Sequence, residues 1–250
     1  MKLQILGSGT AALQADRGPS GYLLQTSDAI CLIDGGTGTL LKCLKAGVSY
    51  KEIDKLFYTH LHADHTIDLV PFLFATKYTP GFIRTKKLEI FGPIGFEKFF
   101  YKYVELFGNG MLEVDYDIHI IELGETSVKS GALNVQTGLM KHAENAIGYR
   151  FENAGRSLVY SGDTEFCEEI IDLAKDAHVL LLECSFADEN KIPGHLTPSE
   201  AGLIASRAGV ERLVLTHLYP PFSSKEMLNA ARRQFAGEVL LAGDFMEITI

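Results

Sequence analysis

The sequence predicts an α/β protein of four layers, in which two mixed β-sheets pack face to face and helices flank both. Three observations predict it. Short apolar strands alternate with helical segments along the whole chain, the pattern of sheets covered by helices. The pattern runs through the first half and repeats in the second, so two similar sheets are expected. No linker or low-complexity stretch interrupts it, and 250 residues at 46% hydrophobic content can bury a substantial core, so residues 1–250 are read as one domain.

The elements follow in order. A strand over Lys2 to Leu6 runs into the turn Gly7-Ser8-Gly9-Thr10. Strands are expected over Gly21 to Gln25 and Ala29 to Ile33, the second ending in Asp34-Gly35-Gly36, whose glycines can take φ > 0. A helix from about Thr39 to Ala46 stops at Gly47, a suitable C-cap. The strand Lys55 to Tyr58 delivers a histidine cluster to a loop, and a helix runs from near Thr66 to about Thr76. After a strand over Leu88 to Phe91, Gly92-Pro93 starts a helix reaching Phe107, because proline tolerates the first helical position. In the second half, strands read over Ile118 to Glu122, Leu133 to Thr137, Gly148 to Glu152 and Ser157 to Tyr160, the last pair joined by a hairpin turn at Asn153-Ala154-Gly155-Arg156. A helix over Glu165 to Ala174 precedes the strand His178 to Leu182. Thr197-Pro198-Ser199-Glu200 combines an N-cap, an N1 proline and an N3 glutamate, and the helix it opens ends at Gly209. A strand over Arg212 to Thr216, a helix over Ser224 to Phe235, and strands at Val239 and Phe245 to Ile248 finish the chain.

Composition limits the function. The formal net charge is −9 and the sequence pI about 5.4. Phosphate neutralisation by basic side chains supplies most non-specific nucleic-acid affinity, so an acidic chain argues against broad binding to a long polyanion. A pocket for one phosphate remains compatible with it. The cysteines Cys31, Cys43, Cys167 and Cys184 form no C-x-x-C pair and are read as buried, reduced thiols, which points to a reducing cytoplasm. The N-terminal apolar stretch is too short for a signal peptide, and no run of about 18 apolar residues marks a membrane span, so a cytosolic protein without a membrane partner is expected.

The chemistry concentrates in Thr59-His60-Leu61-His62-Ala63-Asp64-His65. Three of the chain's eight histidines fall in six residues with an aspartate between them. Strand alternation puts His60 and His62 on one side as the chain leaves the sheet, with Asp64 and His65 in the turn into the next helix. Imidazole and carboxylate together suit zinc and its first-row neighbours. His142, Asp163, His195 and His217 each stand where a strand gives way to a loop, and ligands of α/β sheets collect at such carboxyl ends. His119 and His178 lie within or at the start of strands and are read as structural. Glu183 ends the apolar strand VLLLE, and a carboxylate buried there needs a partner, for which His195 is the candidate.

The ordered set THLHADH, then His142, Ser161-Gly162-Asp163 and Thr216-His217-Leu218-Tyr219-Pro220 resembles the metallo-β-lactamase superfamily over nearly the whole chain. The resemblance implies an αββα sandwich (the metallo-β-lactamase fold) with two divalent metal ions at one edge of the sheets, zinc by default and manganese or iron as alternatives. It assigns His60, His62 and His142 to one ion, Asp64, His65 and His217 to the other, and Asp163 as the bridge. Three features are similar to the tRNase Z-like branch: the opening LGSGTAALQADRGPSGYLL, the acidic motif Leu182-Glu183-Cys184-Ser185-Phe186, and Gly194-His195-Leu196-Thr197. That similarity implies a Glu183–His195 dyad, with Asp64 orienting the attacking water. The branch's long basic tRNA-gripping arm falls between the third and fourth motifs. Here only twenty residues separate His142 from Asp163.

A phosphodiesterase acting on small phosphodiesters or cyclic nucleotides is therefore expected. A tRNA 3′-end processing endoribonuclease and a lactonase- or thioesterase-type carbon-ester hydrolase are the alternatives. Relatives in the family also imply a homodimer as one assembly state. Phe72, Phe74, Tyr78 and Phe82, with Phe96 to Phe107, are candidates for a pocket wall, although most are expected in the core. Lys77, Arg84, Lys86 and Lys87 form the nearest basic cluster, read mainly as a solvated face.

Overall fold

The computed structural model describes all residues, Met1–Ile250. Fourteen strands form: β1 (Lys2–Gly7), β2 (Gly21–Gln25), β3 (Ile30–Gly35), β4 (Lys55–Phe57), β5 (Leu88–Pro93), β6 (Ile118–Leu123), β7 (Thr126–Ser130), β8 (Leu133–Leu139), β9 (Ile147–Asn153), β10 (Arg156–Tyr160), β11 (Val179–Glu183), β12 (Arg212–Thr216), β13 (Glu238–Leu241) and β14 (Glu247–Thr249). One sheet runs β14-β1-β2-β3-β4-β5-β6 and the other β13-β12-β11-β10-β9-β8-β7. Each is antiparallel from one edge and parallel to the other: β3 to β6 pair in parallel in the first, β10 to β13 in the second. Seven helices cover them: α1 (Thr39–Lys45), α2 (Ala63–Thr66), α3 (Leu69–Tyr78), α4 (Phe96–Phe107), α5 (Glu168–Ala174), α6 (Pro198–Ala208) and α7 (Ser224–Gln234). The expected mixed sheets between helix layers are present, with one correction. The division into halves is not clean, because β6 stays in the first sheet and β14 returns to it from the C-terminus.

Side-chain alternation builds the layers. In β11, Val179 and Leu181 enter the core between the sheets, while Leu180 and Leu182 face α5 and α6. Tyr22 and Leu24 of β2 likewise point inward, and Leu23 points out beneath the helices of the first sheet. Both faces are covered, so these strands read as continuous apolar runs instead of alternating ones.

Local chemistry explains the remaining departures. The helix expected from Thr66 to Thr76 is two helices, broken at Asp68. Its carboxylate accepts the N–H groups of Gly38 at 3.0 Å and Leu40 at 2.8 Å, tying the break to the start of α1. Pro93 does not start a helix, because it is still paired with Leu123 in the sheet, and α4 opens three residues later. The strand β7 escaped the sequence because it is a mostly polar edge strand, TSVKS. In Asp34-Gly35-Gly36 the left-handed residue is Asp34, at φ 51°, and not a glycine. Gly36 is needed for close approach: a Cβ there would lie 2.2 Å from the Asp64 carbonyl oxygen. The hairpin turn at Ala154 and Gly155, both at positive φ, and the capped start of α6 form as expected, Glu200 accepting the Thr197 N–H at 3.0 Å.

Two sets of polar contacts clamp the sheets together. At one end, Tyr22 meets Thr216 Oγ1 at 2.9 Å, Tyr149 donates to the Tyr58 carbonyl at 2.8 Å, and Tyr160 donates to Asp34 at 2.9 Å. At the other, Lys55 of β4 joins Glu89 of β5, and Ser130 of β7 donates to the same carboxylate at 2.8 Å. Burial opposes charge on Glu89, but hydrogen bonds from Lys55, Lys87 and Ser130 outweigh it and pull the carboxyl down to about 2. A folded pKa below the unfolded value of about 4.3 means stabilisation that is complete above that pH and lost as pH falls towards 2. Glu89→Gln is therefore expected to flatten the loss of melting temperature between about pH 4.3 and 2 relative to wild type. Parallel acid limbs for the two proteins would show that the clasp contributes nothing.

Candidate metal centre

The seven expected ligand residues arrive at the same edge of the sandwich. His60 and His62 follow β4, and Asp64 and His65 belong to the single turn of α2. His142, Asp163 and His217 follow β8, β10 and β12. His60, His62, His142 and Asp163 offer ligand atoms within 4.8 Å of one another, as do Asp64, His65 and His217. Asp163 stands between the sets. Its Oδ2 is 3.8 Å from His60 Nε2, 3.6 Å from His142 Nε2 and 3.4 Å from His217 Nε2, and its Oδ1 is 3.4 Å from His65 Nε2.

Partnerless atoms show what the arrangement fits. The chain has six buried side-chain nitrogen or oxygen atoms without a hydrogen-bond partner, and four of them converge here: His60 Nε2, His65 Nε2, His217 Nε2 and Asp163 Oδ1. Leaving such an atom unsatisfied costs roughly 1–3 kcal/mol. The second ring nitrogen of each histidine is, by contrast, occupied. His60 Nδ1 meets Thr59 Oγ1 at 3.1 Å, His65 Nδ1 meets Asp34 at 2.8 Å, His142 Nδ1 meets the Gly194 carbonyl at 2.8 Å and His217 Nδ1 meets Ser185 Oγ at 2.9 Å. Those acceptors hold the proton on Nδ1 and leave the Nε2 lone pair facing the centre. His62 presents Nδ1 instead, 3.2 Å from His142 Nε2. Lone pairs aimed at one another across such distances repel unless a cation lies among them, so the donor set fits a pair of divalent ions.

The electrostatics are divided: against burial, the carboxylates of Asp163 and Asp34 raise the His65 imidazole well above its usual range, whereas His60 and the two aspartates are held low. Burial, reinforced by the charge of His65, holds His60 well below the usual imidazole range, the neutral form a ligand requires. Burial opposes ionisation of Asp163, but His217 and His65 overcome it and hold the carboxyl well below the usual range. Asp64 is held low in the same way, against burial, by the neighbouring His217, whose Nε2 lies 3.6 Å from Asp64 Oδ2, and by His65. The cluster is organised for positive charge.

The sequence analysis read Asp34 only as part of a turn. It is fully buried and anchors the site: it accepts from Thr59 N at 2.9 Å, from Thr59 Oγ1 at 3.0 Å, from His65 and from Tyr160. An aspartate closing an apolar strand, as Glu183 closes VLLLE, was the available signal.

Glu183 and His195 meet as expected. Glu183 is fully buried and makes four bonds: Oε1 accepts from Thr164 N at 2.8 Å and His195 Nδ1 at 2.9 Å, and Oε2 from Ser185 Oγ at 2.8 Å and Leu196 N at 3.1 Å. Burial works against a charged His195, but the bond to Glu183 and its negative charge raise the imidazole pKa above the ordinary value. Ser185 was missed. A carboxylate only accepts, so the Ser185 hydroxyl donates to Glu183 and accepts from His217 Nδ1. One hydroxyl thus joins the dyad to the metal cluster.

Most of the candidate wall aromatics were expected in the core, and three of them are there. Phe72, Phe96 and Phe100 belong to the outer core of the first sheet. Arg84 is buried and donates to the carbonyls of Ile53, Lys86 and Lys87 at 2.9, 2.9 and 3.1 Å, so it is structural. The aromatic rings beside the centre are Phe186 and Tyr219, which follow β11 and β12. His178 meets Ser157 Oγ at 2.9 Å at the far end of β10, and His119 is an exposed strand residue, so neither joins the cluster.

Two packed sheets carrying this His/Asp cluster at one edge define a metal-dependent hydrolase. The family model described as beta-lactamase superfamily domain matches residues 31–218, and the chain belongs to that family. An uncharacterized protein of Mycobacterium tuberculosis is 31% identical over 247 residues, covering 96% of this chain and 88% of that protein. Ribonuclease Z of Methanosarcina acetivorans is 28% identical, covering 100% of this chain and 98% of the relative. The crystal structure of the metallo-beta-lactamase fold protein YhfI from Bacillus subtilis superposes with a TM-score of 0.85 at 25% identity, covering 99% and 98% of the two chains.

Metal loading is expected to stabilise the fold. A divalent cation at about 100 times its Kd should add about 2.7 kcal/mol, read as a rise in melting temperature, and Asp163→Ala should lower the bound metal from two ions per chain by elemental analysis. Ser185→Ala is expected to weaken metal affinity about 10–100-fold in chelator competition, while Ser185→Thr, which keeps the hydroxyl, retains it. Equal affinities in Ser185→Ala and wild type would rule out the link to His217.

Proposed function

We propose that this chain is a dinuclear metal-dependent phosphodiesterase that cleaves small phosphodiesters or cyclic nucleotides. The observation that carries the reading is the His195–Glu183 pair, placed beside the His/Asp cluster with its imidazole pKa raised. His60, His62 and His142 would hold one ion, Asp64, His65 and His217 the other, and Asp163 both. Zinc is the default for this nitrogen-rich set, with manganese or iron as alternatives. When bound, the ions supply Lewis acidity toward the phosphoryl oxygens and activate water for in-line attack.

The chain's own residues perform the rest. Asp64 is ionised and only accepts hydrogen bonds, so it orients the attacking water. His195 has its Nδ1 proton fixed on Glu183, which directs Nε2 outward. Protonated there, it delivers a proton to the departing oxygen of the phosphodiester. The leaving alkoxide needs such a proton more than the carboxylate product of a lactone does, which favours phosphodiester over carbon-ester chemistry.

Ribonuclease activity on tRNA is the second reading, motivated by the ribonuclease Z relative. That alignment runs over 307 positions, against 250 residues in this chain. Between His142 and Asp163 the chain forms only β9, a tight turn and β10, with no basic extension, and the net charge is −9. A small substrate fits these features better. The four buried, free cysteines accord with a reducing cytoplasm, and no helix is long and apolar enough to cross a membrane.

The metal-loaded protein is expected to hydrolyse bis(p-nitrophenyl) phosphate and a cyclic nucleotide faster than a lactone or a precursor tRNA. His195→Ala should keep two ions per chain and lose about 10²–10⁴ in kcat. Wild-type turnover in that variant would remove His195 from the reaction, and preferential lactone cleavage would overturn the phosphodiesterase reading.

A further inference from the structure

The loops after β11 and β12 run side by side. Cys184 N donates to the Thr216 carbonyl at 2.8 Å, and Tyr219 N donates to the Ser185 carbonyl at 3.2 Å. This pairing carries the sheet's register past the strand ends and brings Phe186 and Tyr219 together. Their rings stack with centroids 4.9 Å apart and planes 14° from parallel. The two rings are steeply inclined to the imidazoles of the site: Phe186 is 5.6 Å from the His195 ring at 69°, and Tyr219 is 6.1 Å from His195 at 69° and 5.8 Å from His217 at 78°. Both rings are half-buried, so each keeps surface open to solvent beside the centre. Of the aromatics of α3 and α4, Phe72, Phe96 and Phe100 are buried in the outer core instead.

We infer that Phe186 and Tyr219 form a stacking subsite for a planar aromatic group on the leaving side of the substrate, the nucleobase of a nucleoside phosphodiester. The inference rests on the reading of His195 as the leaving-group acid. A group departing past the His195 ring passes beside this pair, whose centroids are 5.6 and 6.1 Å from it. The wall it meets offers π-surface, and stacking on such a wall is tolerant of base identity because every nucleobase has a π-face. The rigid zipper of the two loops holds the wall in place before the ligand arrives, so little ordering cost opposes stacking.

The probes are adenosine 5′-monophosphate and ribose 5-phosphate, with binding to the metal-loaded protein measured by calorimetry. They share the phosphate and sugar, and only the first carries a base. The wild type is expected to bind the nucleotide roughly 10- to 100-fold more tightly, as a stacked base allows. That ratio should fall towards one in Tyr219→Leu and in Phe186→Leu, and Tyr219→Phe should keep it. Circular dichroism and metal content confirm that each variant is folded and loaded. Phe186 is half-buried, so the Tyr219 pair decides the matter if Phe186→Leu does not fold. A ratio near one in the wild type, or a ratio unmoved by Tyr219→Leu, overturns the subsite. Binding is read without turnover. A retained ratio in a protein that cleaves no phosphodiester would leave the subsite standing and overturn only the phosphodiesterase reading.

Discussion

Asp34, Asp163 and Glu183 are almost wholly shielded from water at the carboxyl ends of β3, β10 and β11, and a buried carboxylate is tolerable only when fully partnered. Each of the three is partnered differently. Asp34 gathers Thr59, His65 and Tyr160. Glu183 gathers two backbone N–H groups, Ser185 and His195. Asp163 alone keeps a buried oxygen without a hydrogen bond, and it faces four histidine nitrogens. The unmet demand is concentrated at one point, which is where cations belong.

The fold supplies this arrangement through its symmetry. Each sheet turns from antiparallel to parallel pairing, and the parallel strands deliver their carboxyl ends to one edge. The tyrosines Tyr22, Tyr149 and Tyr160 cross between sheets just beneath that edge. They fix the separation of the two sheets and hence the distance between His60 and His65 on one side and His142 and Asp163 on the other. Backbone strain is placed at the same edge: Asp34 and His217 both adopt positive φ, at 51° and 56°. Side chains other than glycine pay for that conformation, and here the hydrogen bonds of Asp34 and of His217 to Ser185 compensate.

Ser185 ties the His/Asp cluster directly to the Glu183–His195 pair. Its hydroxyl accepts from one metal-facing imidazole and donates to the carboxylate that holds the other functional imidazole. His142 provides a second link, since its Nδ1 bonds the carbonyl of Gly194, the residue before His195. The loop carrying His195 is thus braced on both sides by histidines of the cluster.

Much of this was readable along the chain. His60, His62, Asp64 and His65 are neighbours in sequence, and the order of His142, Asp163, Glu183, His195 and His217 after apolar strands marks them, because strand ends are local features. The αββα layering was readable for the same reason: continuous apolar strands separated by helices require cover on both faces. Tertiary structure alone decided what depends on contacts between distant segments. Asp34 looks like a turn residue until Thr59, His65 and Tyr160 surround it. Ser185 and Phe186 acquire roles only when the loop after β12 lies alongside them. The aromatics of α3 and α4 could be weighed only between core and pocket wall, because a half-apolar helix reads alike whether its rings meet a ligand or a sheet. Residue types and their spacing determined that this chain carries a His/Asp cluster suited to divalent metals. The packing of two sheets decided which hydroxyls and carboxylates orient it, because hydrogen-bond partners are chosen by proximity in space.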